Sequence, residues 1–251
     1  MDSGLYAAYT GLMARTQALD TAANNLANTG TSGFRAQRDY FRGVFAGGLD
    51  RNAPAESQVG ESVNGFGVLG GNRLDLGQGQ LAATGNPLDL ALEGEGFFAL
   101  QTKNGLAYTR DGSFRRSATG VLESSLGEPV VDVNQKPITI PTGTVRISSD
   151  GSVSVATQDG SVVVGQVGVF TFANTSTLTA DGTNRFSAGG AKAVAGDASV
   201  MQGSIEGGNE DAIHGTMQLV LVQRQAEMMQ KALSVFNNEF DKTAAEELPR
   251  V

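Results

Sequence analysis

The sequence predicts an α+β fold, in which N- and C-terminal helices pair as an antiparallel coiled coil around an inserted central all-β domain, a sandwich or open barrel. Leucine recurs every seven residues near the start of the chain, and apolar residues alternate three- and four-residue steps near its end. All but eight of the 34 glycines lie between residues 46 and 204. Narrow heptad seams are typical of helices that lie along helices, and glycine-rich sequence with short apolar runs is typical of β structure.

The N-terminal seam consists of Leu5, Leu12, Leu19 and Leu26, with Tyr9, Thr16 and Ala23 at the other seam position. Because Asp2 and Ser3 can cap a helix, we expect it to begin near Gly4. Gly11 either weakens the helix by about 1 kcal/mol relative to alanine or marks a close approach. The Asn- and Gly-rich run 24–33 is expected to end the helix, and 34–41 to form a short helix or an extended segment.

The C-terminal seam consists of Leu219, Val222, Ala226, Met229, Leu233, Phe236 and Phe240. It predicts a helix from about Ala212 to Ala245. Met228 and Met229 fit either core packing or an adaptable interface, and their spacing does not choose between the two. Because two slender seams bury little between themselves, we expect part of each to contact other molecules.

Short apolar runs in the middle of the chain predict strands at 88–92, 96–101, 106–109, 145–148, 152–155 and 167–172. Asn104-Gly105, Asp111-Gly112, Asp150-Gly151 and Asp181-Gly182 stand between them and are expected to form tight hairpin turns. No helical pattern separates the runs, so the sheets should be antiparallel. We therefore expect a first helix and turn at 1–45, a linker or extended segment at 46–80, a β domain at 81–204 and a last helix at 205–251.

The composition argues against several classes of protein. A net charge of −8 with no basic cluster argues against nucleic acid as a partner. No stretch approaches the roughly 18 apolar residues of a membrane-spanning helix, so no direct membrane insertion is expected. The chain has no cysteine, which excludes disulfides and thiolate metal sites. Its start lacks the basic and apolar regions of a cleavable secretory signal.

Candidate catalytic and ligand-binding residues are few. Residues 65–70 (GFGVLG) match a dinucleotide-binding string, but no strand precedes them and no helix follows, so a turn-rich linker is favoured. Glu93 and Glu95 resemble an acid/base pair, although carboxylates at hairpin edges are usually solvated. His214 is the only histidine, which argues against a triad or a histidine metal site. The acidic turns lack a calcium-loop pattern. We expect no enzyme activity, no metal and no cofactor.

Four separated motifs resemble the axial proteins of the bacterial flagellar rod and hook. They are 23–28 (ANNLAN) with 31–35 (TSGFR), 84–98 (TGNPLDLALEGEGFF), 107–114 (AYTRDGSF), and 202–209 (QGSIEGGN) with 222–227 (VQRQAE). The motifs occur in the order that the family shows and cover most of the chain. The stretch after Phe45 matches none of the family's segments.

The resemblance implies a structural subunit of the rod that polymerises through its terminal helices into the axial drive shaft. It implies other rod subunits, identical and different, and the flagellar type III export apparatus as partners. It also implies a location in the basal body, in the periplasmic space, reached without a cleavable signal. The assembly interface would comprise Leu5, Tyr9, Leu12, Leu19, Ala23, Asn24, Asn25, Leu26, Asn28, Gly33, Phe34, Leu219, Val222, Arg224, Met229, Leu233, Phe236 and Phe240.

Other interpretations fit parts of the same sequence. Within the family, the chain could be a distal-rod or hook-type subunit. From a different class, it could be a carbohydrate-binding β-domain protein whose termini dimerise, or a monomeric adhesin with a helical stalk.

Overall fold

The structure, a computed structural model, describes residues 2–42, 68–157 and 160–247. The chain divides into two compact units. The helix unit is drawn from Met1–Leu26, Gln37–Arg73 and Ala212–Val251, and the β unit from Ala27–Ala36 and Leu74–Asp211. Residues 27–36, which the sequence analysis grouped with the first helix, therefore belong to the β unit.

Helices occupy both ends of the described chain, as predicted. Helix α1 spans Asp2–Ala27 and helix α2 spans Ala212–Glu247. The Asn- and Gly-rich run ends α1 in a turn at 28–30. The segment after it is extended rather than helical, which settles the alternative that the sequence left open at 34–41.

The middle of the chain is β structure, as predicted. Its strands are β1 Gln37–Arg42, β2 Val68–Leu74, β3 Leu81–Ala83, β4 Leu90–Glu93, β5 Phe97–Thr102, β6 Gly105–Thr109, β7 Arg115–Arg116, β8 Leu122–Glu123, β9 Thr144–Ile147, β10 Ser152–Thr157, β11 Gly160–Gln166, β12 Val169–Phe172, β13 Thr179–Ala180, β14 Arg185–Ser187, β15 Ala193–Ala195, β16 Ser199–Gln202 and β17 Ser204–Glu206. The six strands expected from the sequence are β4, β5, β6, β9, β10 and β12.

The β unit is organised around two larger sheets. One has six strands in the order β13-β14-β6-β5-β12-β15, and the other has three in the order β11-β10-β9. Pairs β16-β4, β17-β3 and β7-β8 complete the unit, while β1-β2 forms a separate pair. The strand pairs of the β unit are antiparallel, as the absence of crossover helices predicted.

Two apolar clusters form the core of the β unit. The first joins residues of the six-stranded sheet, such as Phe98 and Val169, to residues of the three-stranded sheet, such as Val153 and Val155. The second lies around Phe97, Tyr108 and Phe186. Adjacent residues of β5 thus enter different clusters, because side chains alternate between the two faces of a strand.

Three of the four predicted hairpin turns are present. Gly105, Gly151 and Gly182 have positive φ and connect β5 to β6, β9 to β10 and β13 to β14. The prediction of a hairpin turn at Asp111-Gly112 was wrong. Gly112 is not among the positive-φ glycines, and a Cβ added to it would lie 1.6 Å from the carbonyl oxygen of Leu90. Glycine is needed there for close approach between two backbone segments.

The predicted linker is described only in part. Residues 43–67 lie outside the described residues, including the first three positions of the 65–70 string. The other three positions of that string, 68–70, are the first residues of strand β2. This strand lies within the range 46–80 that the sequence predicts to be a linker or extended segment.

Candidate assembly site

Helix α1 buries a face of small residues. Gly11, Ala14, Ala18, Ala22 and Asn25 form this small-residue face, in which the three alanines and Asn25 are buried and Gly11 is half-buried. The predicted leucine seam lies about a third of a turn away around the helix. Leu12, Leu19 and Leu26 are half-buried, whereas Tyr9 and Ala23 are exposed. The leucine seam is therefore not the most buried face of α1.

Helix α2 carries apolar residues on two opposite faces. The inner seam consists of Leu219, Val222, Ala226, Met229 and Leu233, which are all buried or half-buried. An outer stripe consists of Ile213, Met217, Val220, Leu221, Met228 and Val235, which are 43% to 70% exposed. At about 100° per residue, this stripe lies on the opposite side of the helix.

The two helices line a common groove of about 500 Å³, to which strand β1 also contributes. Ala22 and Asn25 of α1 share it with Met217 and Gln218 of α2. A Cβ added to Gly11 would lie 3.3 Å from Cε of Met229. Gly11 thus marks a close approach, which decides between the two readings that the sequence allowed. The two methionines differ as well. Met229 is half-buried on the inner seam, which fits packing within the chain, and Met228 is exposed on the outer stripe, which fits an interface.

Asn25 and Asp39 hold strand β1 against helix α1. The Asn25 side-chain amide donates to the carbonyl oxygen of Gln37 at 2.8 Å and accepts from its N–H at 2.9 Å, so it pairs with the backbone as a neighbouring strand would. Thr21 donates a hydrogen bond to Asp39 at 3.1 Å. Burial raises the pKa of the Asp39 carboxyl above its ordinary value, and the bond from Thr21 acts in the opposite direction.

The β unit contains a buried cluster of three charged side chains, the Glu206 cluster, formed by Arg35, Arg110 and Glu206. Glu206 Oε1 accepts from Arg35 Nη2 at 2.7 Å, and Oε2 accepts from Arg110 Nη1 at 3.0 Å. The three side chains are at most 4% exposed. Glu206 Oε1 also accepts from the N–H of Gly79 at 2.7 Å. One carboxylate therefore connects four segments of the chain.

The two arginines of the Glu206 cluster are held in different ways. Arg110 donates to the carbonyl oxygens of Gly94 at 2.5 Å and Leu92 at 3.4 Å, just after and within β4. Burial lowers the pKa of the Arg110 guanidinium, while the charge of Glu206 raises it. Within the described part of the chain, the Nε–H groups of Arg35 and Arg110 have no hydrogen-bond partner. The cluster holds two positive charges around one negative charge, so its stability depends on Glu206.

Backbone contacts around the cluster allow little space for side chains. The N–H of Gly33 donates to the carbonyl oxygen of Glu206 at 2.8 Å. A Cβ on Gly33, whose φ is 69°, would lie 2.1 Å from the backbone nitrogen of Asp111. Asn209 accepts from the N–H of Ala36 at 2.7 Å and donates to the carbonyl oxygens of Asp75 and Gly77. The segment after α1 and the segment before α2 are thus tied to the same part of the β unit.

The predicted interface residues fall into three groups. Asn25, Gly33 and Phe34 are buried within the chain's own fold. Asn24 and Arg224 are exposed, and Asn28 is half-buried and accepts from Thr31 at 3.3 Å. For Leu5, Phe236 and Phe240 only the helical backbone is described.

The candidate catalytic residues do not form a site. Glu93 and Glu95 are exposed, as is His214 in the first turn of α2. Asp111 accepts from the N–H and hydroxyl of Ser113 within its own turn. In the described ranges, no group of three acidic, cysteine or histidine side chains could hold a metal ion. No helix in those ranges is long and apolar enough to span a membrane.

Sequence reasoning missed the Glu206 cluster. Arg35 and Glu206 are 171 residues apart in the chain, and Arg110 and Glu206 are 96 residues apart, so no local pattern joins them. A signal was available, because Arg35, Arg110 and Glu206 each lie in a different one of the four motifs. The backbone partners of Arg110 lie in the fourth motif, 84–98. Charged residues inside these glycine-containing motifs were the sign of a shared buried position.

Comparison with known proteins gives matches along the whole chain. The family model described as "Flagella basal body rod protein" matches residues 5–35, and that described as "Flagellar hook protein FlgE/F/G D1 domain" matches residues 91–164. Flagellar basal-body rod protein FlgF of Caulobacter vibrioides is 32% identical over 100% of both chains. FlgG of Bacillus subtilis is 32% identical over 88% of this chain and 89% of its own, and FlgF of Escherichia coli 32% over 91% and 93%.

Proposed function

Since the chain belongs to the flagellar basal-body rod protein family, we propose that it is a structural, non-catalytic subunit of the basal-body rod. The curated relatives are named as rod proteins, and they align with this chain over nearly all of its length. The four motifs that predicted this family lie in the segments that surround the Glu206 cluster and on helices α1 and α2.

Helices α1 and α2 pair as an antiparallel coiled coil in this proposal. Two contacts support it. Gly11, in the first half of α1, approaches Met229, in the middle of α2, whereas Ala22, late in α1, shares the groove with Met217, early in α2. The heptad spacing of the inner seam and the small residues on α1 fit close packing between helices. In the β unit, the cluster shared by the two larger sheets supports an open sandwich.

The outer stripe of α2 is the observation on which the polymerisation proposal rests. Exposed apolar patches on soluble proteins usually mark contacts with other molecules. Met217 and Leu221 of this stripe also line the groove, whereas Val220, Met228 and Val235 do not and are 43% to 62% exposed. On α1, Leu12, Leu19 and Leu26 retain exposed area on a face different from the small-residue face. The chain therefore presents two unlike apolar faces. Unlike faces make head-to-tail contacts, which extend into an open helical polymer.

The predicted interface residues divide between these roles. In the proposal, the leucine seam with Tyr9 and Ala23 contacts neighbouring subunits, together with exposed Arg224. Leu219, Val222, Met229 and Leu233 hold the two helices together. Asn25, Gly33 and Phe34 act within the subunit because they are buried there.

The position along the rod is proposed as proximal, with a distal-rod or hook-type subunit as the alternative. FlgF relatives support the first and FlgG relatives the second, at the same 32% identity. Electron microscopy of basal bodies from a strain that lacks the protein distinguishes them, because loss of a proximal subunit ends the rod earlier. The proposal also places the protein in the periplasmic part of the basal body, exported by the flagellar type III apparatus.

Substitution of the outer stripe tests the polymerisation proposal. A charge at Met228 on this stripe would have to be buried between subunits, so Met228→Glu should abolish incorporation into basal bodies and motility. Because Met228 is exposed in the subunit and does not line the groove between the helices, the purified variant should keep its helical content and melting temperature. Gln230→Glu adds the same charge at an exposed position away from the stripe and should leave assembly intact. Normal basal bodies containing Met228→Glu would overturn the proposal.

A further inference from the structure

Among the residues that the structure describes, the three-stranded sheet of the β unit ends in an open edge without the usual protection. In the described residues, β11 pairs with β10 on one side and with no strand on the other. Its sequence, GSVVVGQ, has no charged residue and no proline. Val162 and Val163 are 56% and 69% exposed. Natural edge strands are usually protected by lysine, proline, bulges or a covering segment. Of these protections, β11 has only a bulge, which is the shift in its pairing with β10 between Val153 and Ser154. The pairing of residues 160–163 is uninterrupted.

The free hydrogen-bonding groups of β11 follow from its register. Thr157 is paired with Gly160 across a two-residue connection, and such closing pairs exchange hydrogen bonds. Since hydrogen-bonded and non-bonded pairs alternate along antiparallel strands, Ser161 and Val163 direct their N–H and C=O groups away from β10.

The six-stranded sheet of the same unit ends in a second edge of similar chemistry. Strand β15 has the sequence AVA, pairs only with β12 in the part of the chain described, and has Val194 47% exposed. The N–H of Gly196 donates to the carbonyl oxygen of Val169 on β12. By the same alternation, Ala193 and Ala195 direct their N–H and C=O groups away from β12.

We propose that β11 of one copy of this chain pairs antiparallel with β15 of a second copy. Ser161 would face Ala195 and Val163 would face Ala193, each pair exchanging two hydrogen bonds, which places Val162 directly opposite Val194. Lys192 would then lie towards the end of β11 that contacts Asp150. Hydrogen bonds from Ser152 lower the pKa of the Asp150 carboxyl.

A second copy is the occupant favoured by charge and symmetry. The chain carries a net charge of −8, so two copies repel one another except where uncharged surfaces meet. The two edges differ, so their pairing is head-to-tail and compatible with an open polymer. In this respect the inference rests on the proposed rod function, to which it adds a contact between β units beside that between helices.

Cysteine cross-linking tests this contact without interference, because the natural chain has no cysteine. Full-length Val162→Cys and Val194→Cys proteins, one enlarged by a tag, are mixed and oxidised mildly, and the disulfide heterodimer is measured on gels. Docking raises the effective thiol concentration to about millimolar, so the heterodimer should form about a hundredfold faster than undocked thiols at about ten micromolar. Val133→Cys, exposed elsewhere on the β unit, replaces Val162→Cys in the control.

The outcomes are separable from those of the rod proposal. A heterodimer no faster than the control overturns the strand contact, whether or not polymer forms in the same sample. Faster self-linking of Val162→Cys alone also overturns it, because β11 would then pair with itself. Adding Val163→Lys should return the rate to that of the control, whereas Val163→Thr should not. Polymer scored by electron microscopy on the same samples reports on the rod proposal independently.

Discussion

In the β unit, charged side chains are buried and two clusters of large apolar residues form a core, whereas in the helix unit the most buried residues of α1 are small and α2 exposes six large apolar residues along one stripe. The β unit gives its buried charges partners and its aromatic rings neighbours, such as Phe98 and Phe114 with ring centroids 5.2 Å apart. Its exposed large apolar residues, Leu126, Val133, Val162, Val163, Val194 and Met201, are spread over several strands and turns.

Among the described residues, the helix unit has apolar surface that its own fold leaves exposed. The outer stripe of α2 and the leucine seam of α1 lie on faces that the small-residue contact leaves exposed or half-buried. A helix with two apolar faces can pack on two sides. The comparison supports our proposal that the helices make the contacts of assembly, while the β unit supplies the stability of the subunit.

The strongest test of this division is the Glu206 cluster. Glu206→Gln leaves Arg35 and Arg110 buried without their ion-pair partner, and breaking a buried ion pair in this way costs about 3–5 kcal/mol. We expect the variant to lower the free energy of unfolding by that amount in urea titrations followed by circular dichroism.

A surface pair is the matched control for Glu206→Gln. Arg115 and Glu123 are 2.9 Å apart, and the Arg115 side chain is mostly exposed. Glu123→Gln should therefore cost only about 0–1 kcal/mol. If the two variants unfold at the same urea concentration, the Glu206 cluster does not stabilise the β unit as the comparison requires.

The second test separates backbone strain from crowding at the connection between α1 and the β unit. Gly33 and Gly182 both have positive φ, but a Cβ at Gly182 would meet nothing within 4 Å, whereas one at Gly33 would clash with Asp111. Gly182→Ala should cost about 1–2 kcal/mol for the left-handed conformation alone. Gly33→Ala should cost about 1–3 kcal/mol more because of overpacking. Thermal melts of the two variants measure the difference. Equal costs would mean that the backbone around Gly33 shifts to accommodate the added methyl group without loss of stability.

Local patterns were sufficient for the elements of the fold. Heptad spacing located both helices, and short apolar runs between Asn-Gly and Asp-Gly pairs located six strands and three hairpin turns, because these features depend on neighbouring residues. The Asp111-Gly112 prediction was wrong because close approach to Leu90, which is distant in sequence, also selects glycine.

The buried face of α1 could not be chosen from the sequence. The leucines at 12, 19 and 26 and the small residues at 11, 14, 18, 22 and 25 are both spaced for a seam. Burial of apolar surface favours the leucines, whereas close approach of two helices favours glycine and alanine. The spacing of the residues does not show which of these two effects is larger. The pairing within the Glu206 cluster could not be predicted for another reason, since its ion pairs join residues that only the folded topology brings together, and the shared motifs indicate the residues but not their partners.

The smallest expected effect lies in the helix unit, where Asp39 is a half-buried carboxyl without a charged partner among the contacts described above. Its pKa is raised above the ordinary value of 3.8, so the folded state binds the proton more tightly than the unfolded state. Stability from this group is therefore gained as pH falls towards 3.8 and lost as pH rises through the folded-state pKa. Asp39→Asn keeps the acceptor for Thr21 but cannot titrate, so it should show a smaller gain in melting temperature than the natural chain between about pH 7 and about pH 4.

Asp20→Asn, at an exposed position of α1, is the control for general charge effects. An equal gain in the natural chain and Asp39→Asn would mean that this carboxyl is as well solvated in the folded helix unit as in the unfolded chain.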